Sequence, residues 1–228
     1  MKPLQGVKIV DFTRLLPGPL STHLLAQMGA KVVKIESPKR MDYIRYGIGL
    51  EGSDILFNQL NHNKRSLIID YNLEDGKQEL LDIIKESDVI IEQFRPGAMN
   101  AWGFGYEALK TINPEIIYVS ITGYGQDGDY SNEAGHDFNY LALAGIMGLL
   151  KDDNGKPMVP DTQFSDIGSA YMTVIAVQAA LIKKAKTGHG SFVDVNLCTS
   201  ITPFLTVPYA LHSEERDYRK NNVINGKT

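Results

Sequence analysis

The chain has 228 residues, with 23 Lys and Arg against 27 Asp and Glu, a formal net charge of −4. That balance argues against a nucleic-acid binder, which carries a basic surplus. The single cysteine, Cys198, rules out an internal disulfide and fits a reducing compartment. The first residues, Met-Lys-Pro-Leu-Gln-Gly, lack the apolar core of a secretory signal, and no stretch approaches the roughly 20 apolar residues of a membrane span. The expectation is a cytoplasmic chain with neither a membrane nor a nucleic-acid partner.

In chain order, residues 7–11 (V-K-I-V-D) read as a buried strand. Pro17-Gly18-Pro19 reads as a break. Leu20, Leu24, Leu25 and Met28 then fall at helical spacing, with Gly29 as the stop. Residues 31–35 form the next strand, completing a strand–helix–strand unit. Residues 37–61 are irregular and long for a structureless loop, so they are functional or partly helical. Strands follow at 66–70, 89–92 and 116–122, separated by helices at 73–86 and 106–111. Beyond Gly135 the pattern turns helical, at 138–149 and 167–186, with one more strand at 192–196.

Strands alternating with helices predict an α/β fold, a Rossmann-like and largely parallel sheet with helices on both faces. Ligands bind such sheets beyond the carboxyl ends of the strands. The loops that matter are therefore residues 14–19, 36–40, 94–97 and 123–128. Residues 1–197 are expected to form this domain, and 198–228 a helix and the start of a linker. The polar ending Asn225-Gly226-Lys227-Thr228 reads as that of a truncated chain, and residues 213–222 as a surface loop or frayed helix end.

His136 and Asp137 follow a glycine at a predicted helix start, and Asp166 precedes a second apolar run. Asp137 is expected to cap the helix at Phe138. Asp166 has a capping reading too, but Gly168 and Ser169 beside it leave room for a ligand, and a helix N-terminus favours its carboxylate form. Backbone amides around residues 166–168 are candidate donors to an oxyanion. Arg14, Lys39, Arg40, Lys64, Arg65 and Arg95 lie at or near strand ends, a set able to hold a polyanion. No G-x-G-x-x-G, P-loop, nucleophile-elbow or metal-ligand spacing occurs.

A series of motifs carries a resemblance. They are L-Q-G-V-K-I-V-D-F-T-R-L-L-P-G-P, L-A-Q-M-G-A-K-V-V-K-I-E-S-P, N-K-R-S-L, F-R-P-G, I-T-G-Y-G-Q-D-G, A-G-H-D-F-N-Y-L-A-L-A-G and F-S-D-I-G, in that order. Together they resemble the class III CoA-transferase (CaiB/BaiF) family, which includes the α-methylacyl-CoA racemases. The resemblance implies an acyl-CoA enzyme that works as an interlocked homodimer, with coenzyme A as part of the substrate and no tightly bound cofactor or metal. It makes Asp166 the catalytic aspartate and His136 its racemase partner. Arg95 becomes a CoA contact, with Lys39, Arg40, Asn63, Lys64 and Gly125 as further candidates.

His136 tilts the expectation toward racemisation of a 2-methylacyl-CoA by two bases. The alternatives are CoA transfer through a covalent Asp166 intermediate, or a truncated, inactive CoA-binding chain. Ile167-Gly168-Ser169 departs from the more glycine-rich run typical of racemases, and a third racemase acid would lie beyond Thr228.

Overall fold

The computed structural model describes residues 1–47, 54–152 and 154–213. Its centre is one parallel sheet of six strands: β1 (Lys8–Asp11), β2 (Lys31–Glu36), β3 (Arg65–Ile68), β4 (Val89–Glu92), β5 (Ile117–Thr122) and β6 (Ser191–Asn196). Their spatial order is β3-β2-β1-β4-β5-β6. Nine α-helices occur among the described residues: α1 (Pro17–Gln27), α2 (Ile55–Asn61), α3 (Glu74–Lys85), α4 (Ala98–Ala101), α5 (Tyr106–Ile112), α6 (Asp137–Leu143), α7 (Phe164–Thr187), α8 (Leu197–Ser200) and α9 (Thr206–Ser213).

Strand side chains alternate between two cores, because successive residues of a strand point to opposite faces. Ile9, Val89, Ile91, Ile117, Val119 and Ile121 pack on one face with Leu25 of α1 and Val174 and Val177 of α7. Val10, Ile90, Ile116 and Tyr118 pack on the other with Leu80 and Ile84 of α3 and Leu109 of α5. Apolar residues on both faces are what a parallel sheet needs, and they explain why β4 and β5 are buried along their whole length.

The expected α/β architecture is the observed one, with local differences. Pro17 and Pro19 do not break the chain. They occupy the first turn of α1, where a missing N–H costs nothing. The irregular stretch 37–61 is helical in part, as a 3-10 turn at Tyr43–Tyr46 and as α2; residues 48–53 lie outside the described residues. The helix expected over 138–149 stops at Leu143, because Gly145 turns left-handed (φ 88°) before a 3-10 turn at Ile146–Gly148. Residues 214–228, and with them most of the expected loop at 213–222, also lie outside the described residues.

Helix α7 is more apolar than the sequence reading allowed, and is long and apolar enough to cross a membrane by length and composition alone. Much of that character serves the core: Val174, Val177 and Ala180 face the sheet and α1.

Candidate active site

Strand β1 pairs with β2 on one side and β4 on the other, so the chain departs in opposite directions from the β1–β4 seam. Loops leaving neighbouring carboxyl ends at such a point diverge and open a crevice. A cleft of about 280 Å³ lies there. Leu15 and Pro17 line it from the loop after β1, and Gln93, Phe94, Arg95 and Pro96 from the loop after β4. Thr122 ends β5 and Gly123 follows it, and Gly135, His136, Tyr140 and Asp166 close the cleft from the start of α6 and from α7. The two loops at the seam are tied together, since the Gly18 N–H donates to the Gln93 side-chain oxygen at 3.0 Å.

The F-R-P-G turn is shaped from beneath. The buried Glu92 carboxylate accepts the Phe94 N–H at 2.7 Å. Burial pushes this carboxyl up to about 7, against the opposing pull of bonds from Ser120 and Phe94. Arg95 projects from the turn and is exposed at the cleft wall.

His136 and Asp166, 30 residues apart in sequence, line the same cleft. His136 is the residue before α6, and its backbone N–H is received by the Asn139 side chain at 2.9 Å. Asp137 does not cap its own helix as expected. Its carboxylate reaches across to α7 and accepts the N–H groups of Ser165 (2.6 Å) and Asp166 (3.0 Å). Those are orphan donors of the α7 first turn. Asp166 is itself in that first turn rather than at the cap, because α7 begins at Phe164.

The amides at 165 and 166 are therefore spent on Asp137, and that of Ile167 bonds Gln163 at 3.0 Å. They are not the free oxyanion donors anticipated from sequence. The side chain of Asp166 accepts no hydrogen bond among the described residues. Desolvation by burial, then the nearby Asp137 charge, pushes its carboxyl up to about 7. The direction is opposite to the one a helix N-terminus alone would give.

Two glycine motifs have a steric cause. A Cβ on Gly123 would lie 2.8 Å from the Tyr140 hydroxyl, and one on Gly135 would lie 2.8 Å from the Tyr140 ring and from the Tyr124 hydroxyl. Both glycines let backbone pass against Tyr140, whose hydroxyl donates to the Gly135 carbonyl at 2.7 Å and fixes the residue before His136.

The remaining sequence candidates divide. Lys39 and Arg40, after β2, line a separate depression with Ser37, Tyr71, Asn72 and Trp102. This depression is linked to the cleft by a run of cations and rings: Arg14 lies 5.4 Å from the Phe94 ring, Phe94 packs edge-on to Trp102 at 4.9 Å, and Arg40 lies 5.8 Å from Trp102. Lys64 is elsewhere. Its side chain is 1% exposed, and its ammonium is held by Asp11 (3.2 Å), the Pro19 carbonyl (2.9 Å) and Asn61 (2.8 Å), leaving no donor for a ligand. Asn63 lines a depression with Lys8, Lys31 and Arg65, the residues that start β1, β2 and β3, at the opposite end of the sheet. Gly125 (φ 100°) forms a turn, with its N–H given to Thr122 at 2.9 Å. Gln93 was not anticipated as a cleft residue; Leu15 lies in the expected 14–19 loop and Tyr140 in the A-G-H-D-F-N-Y motif, but neither was given a role from sequence.

The fold, the cleft and the motifs at its rim point one way, and comparison with known proteins decides it: the model of CoA-transferase family III matches residues 4–226. The chain belongs to that family. It is 39% identical over 202 residues to human succinyl-CoA:glutarate CoA-transferase, covering 88% of this chain and 46% of that protein. It is 34% identical over 195 residues to human alpha-methylacyl-CoA racemase, covering 85% of this chain and 48% of that one. The crystal structure of a CAIB/BAIF family protein from Brucella suis superposes with a TM-score of 0.85 at 36% identity, over 100% of this chain and 59% of that one. The chain thus spans about half the length of these two human relatives. Both transferases and a racemase are among its relatives, so kinship does not favour the racemase reading over transfer.

Proposed function

We propose that this cleft binds an acyl-CoA thioester and that Asp166 carries CoA transfer between carboxylic acids. The observation behind this reading is the Asp166 carboxylate: partly buried, unpartnered among the described residues, and raised to about 7 in the seam cleft that Arg95 also lines. Raised basicity makes a carboxylate a better nucleophile, while a group near 7 stays substantially ionised at neutral pH.

In the proposed sequence an Asp166 oxygen attacks the thioester carbonyl. The C–S bond breaks, CoA leaves as thiolate, and an acyl–aspartyl anhydride forms. The thiolate then attacks the aspartyl carbonyl, releasing the donor acid and leaving CoA as a thioester on Asp166. An acceptor carboxylate attacks that thioester, and the freed thiolate takes the new acyl group from the second anhydride. Each step forms one bond and breaks one, and Asp166 is regenerated.

Arg95 at the cleft and the Arg14–Phe94–Trp102–Arg40 run beside it support the binding half of the reading, since phosphates suit the cations and a base suits the rings. Lys39 belongs to the same depression. A homodimer is part of the proposal. The outer side of α7 exposes Tyr171, Ile175 and Ile182, the kind of apolar surface a second chain covers.

The test is trapping. Enzyme loaded with donor acyl-CoA is treated with hydroxylamine or borohydride, and the modified residue is located by mass spectrometry. Label at Asp166 is expected; an unmodified Asp166 under turnover rejects the mechanism. A second reading, two-base racemisation, is favoured by one observation, that His136 lines the same cleft. It requires α-deuterium incorporation from heavy water into a 2-methylacyl-CoA.

A further inference from the structure

Among the described residues two besides glycine have positive φ, Leu15 at 65° and Asn63 at 67°. Asparagine tolerates this region; leucine enters it only under constraint, and such residues gather at functional sites. Leu15 lines the cleft with His136 and Asp166.

The constraint is Asp42. Both of its carboxylate oxygens accept the Leu15 N–H, each at 3.2 Å. Asp42 is 0% exposed and pairs at 3.2 Å with Lys34, itself 1% exposed. The Lys34 ammonium also donates to the Thr13 carbonyl at 2.6 Å. One buried ion pair therefore grips the backbone on both sides of Arg14. Asp42 is steadied in turn, with its N–H given to Glu36 at 2.9 Å, and Glu36 paired with Arg45.

A buried ion pair as such adds little to stability, because its attraction scarcely repays its desolvation, so two apolar residues could take the place of the charges. What they would lack is the directed acceptor for Leu15 and the directed donor for Thr13. The clamp has consequences in the cleft. Leu15 becomes part of its wall, and Arg14 is held against Phe94. Tyr43, the residue after Asp42, has its phenol in the field of Arg14 and Asp166.

We propose that Asp42 is a positioning residue for the cleft: with Lys34 it holds the Thr13–Leu15 backbone in a strained turn, so that Leu15 and Arg14 present a fixed wall to a substrate at Asp166. The proposal rests on the reading of this cleft as an acyl-CoA site.

The experiment compares Asp42→Asn, Leu15→Gly and the double variant. Leucine methyl NMR reports the wall, with the Leu15 signals assigned by their loss in Leu15→Gly. Labelling of Asp166 by acyl-CoA reports the chemistry, and CoA titration reports affinity. Asp42→Asn is expected to move the Leu15 methyl signals and slow Asp166 labelling roughly 10- to 100-fold, with a smaller loss of CoA affinity through the loosened Arg14. In the Leu15→Gly background the same substitution is expected to do little, since glycine takes positive φ unaided. Unmoved methyl signals, or rate losses that multiply independently in the two backgrounds, overturn the proposal. Should Asp42→Asn not fold, Asp42→Glu keeps the charge and displaces it by one methylene, and the same readouts apply. A wild-type chain that binds CoA but never labels Asp166 removes the transfer reading instead, while the methyl signals still decide the clamp.

Discussion

Asp137 sits at the start of one helix and caps another: its carboxylate takes the N–H groups of Ser165 and Asp166, at 2.6 and 3.0 Å. One side chain thus does two things to Asp166. It fixes the α7 first turn from which Asp166 projects, and its charge raises the Asp166 carboxyl.

Those effects separate by mutation. Asp137→Ala removes the cap and is expected to cost about 1–2 kcal/mol. Asp137→Asn keeps an acceptor for the amides but removes the charge, so its stability loss is smaller and the Asp166 carboxyl falls below about 7. If Asp166 must be ionised to attack, the wild-type rate rises with pH up to about 7 and then levels. In Asp137→Asn the rising limb moves to lower pH. A pH–rate profile unchanged by Asp137→Asn contradicts this electrostatic link.

Asp166 itself carries a stability cost. Burial and the Asp137 charge push its carboxyl up to about 7 in the folded chain, from an ordinary 3.8. Between those values the folded chain holds a proton that the unfolded chain has lost, so stability falls as pH rises through this window. Asp166→Asn removes the penalty. Discounting for partial exposure, the gain is on the order of 1–2 kcal/mol above pH 7, or roughly 2–8 °C in Tm, and near zero at pH 4. Melting curves at pH 4, 6 and 8 check both sign and window; equal Tm differences at all three reject it.

Lys64 was a CoA candidate by sequence and is structural in the fold. Its partner Asp11 is 53 residues away and 0% exposed. Burial presses the Lys64 ammonium down to about 8, and Asp11 opposes this. Lys64→Met takes the ammonium from the buried Asp11 carboxylate, leaving it only the Thr13 and Thr22 donors, and is expected to cost about 3–5 kcal/mol. CoA affinity of the folded fraction stays at wild type. A selective loss of CoA binding by Lys64→Met, without loss of stability, reverses the assignment.

That contrast shows what the sequence could and could not reveal. Strands 89–92 and 116–122 were legible because a parallel sheet needs apolar residues on both faces, and β-branched runs announce it. The placement of Lys64 was not, since its burial depends on Asp11 and Pro19, which the chain brings together only on folding. The cross-cap from Asp137 to α7 is tertiary in the same sense, whereas the stop at Gly145 is a local glycine signal that the apolar run 138–149 obscured. The two successive helix starts suggested one pocket for His136 and Asp166, which line the same cleft, and the motifs of the resemblance supplied their expected roles. The left-handed Leu15 gave no sign, because nothing local requires it.

The run beside the cleft predicts where CoA is gripped. Arg40→Ala and Trp102→Ala are each expected to weaken CoA binding roughly three- to tenfold, about 0.7–1.4 kcal/mol. The Arg40 effect shrinks in salt near 1 M, where the Debye length is about 3 Å, and the Trp102 effect does not. Calorimetric titration with CoA at two salt concentrations measures both. Loss confined to neither residue moves the CoA grip away from this depression.

His136→Gln distinguishes the two chemistries at Asp166. Glutamine keeps a polar side chain of similar length but cannot hold and return a proton near neutrality. If the enzyme transfers CoA, Asp166 alone makes and breaks the covalent bonds. His136→Gln then lowers the rate less than about tenfold and leaves Asp166 labelling intact. If it racemises, the histidine is one of two bases on opposite faces of the α-carbon. The substitution then abolishes turnover between enantiomers by about 10²-fold or more. Exchange of the α-proton survives only for the enantiomer whose proton faces Asp166. Single-enantiomer exchange in heavy water, measured by mass spectrometry, reads this asymmetry directly. Equal loss of exchange from both enantiomers would mean that His136 shapes the cleft without serving as a base. The Asn139 side chain on the His136 N–H and the Tyr140 hydroxyl on the Gly135 carbonyl make such a shaping role physically reasonable, so the asymmetry is the decisive quantity.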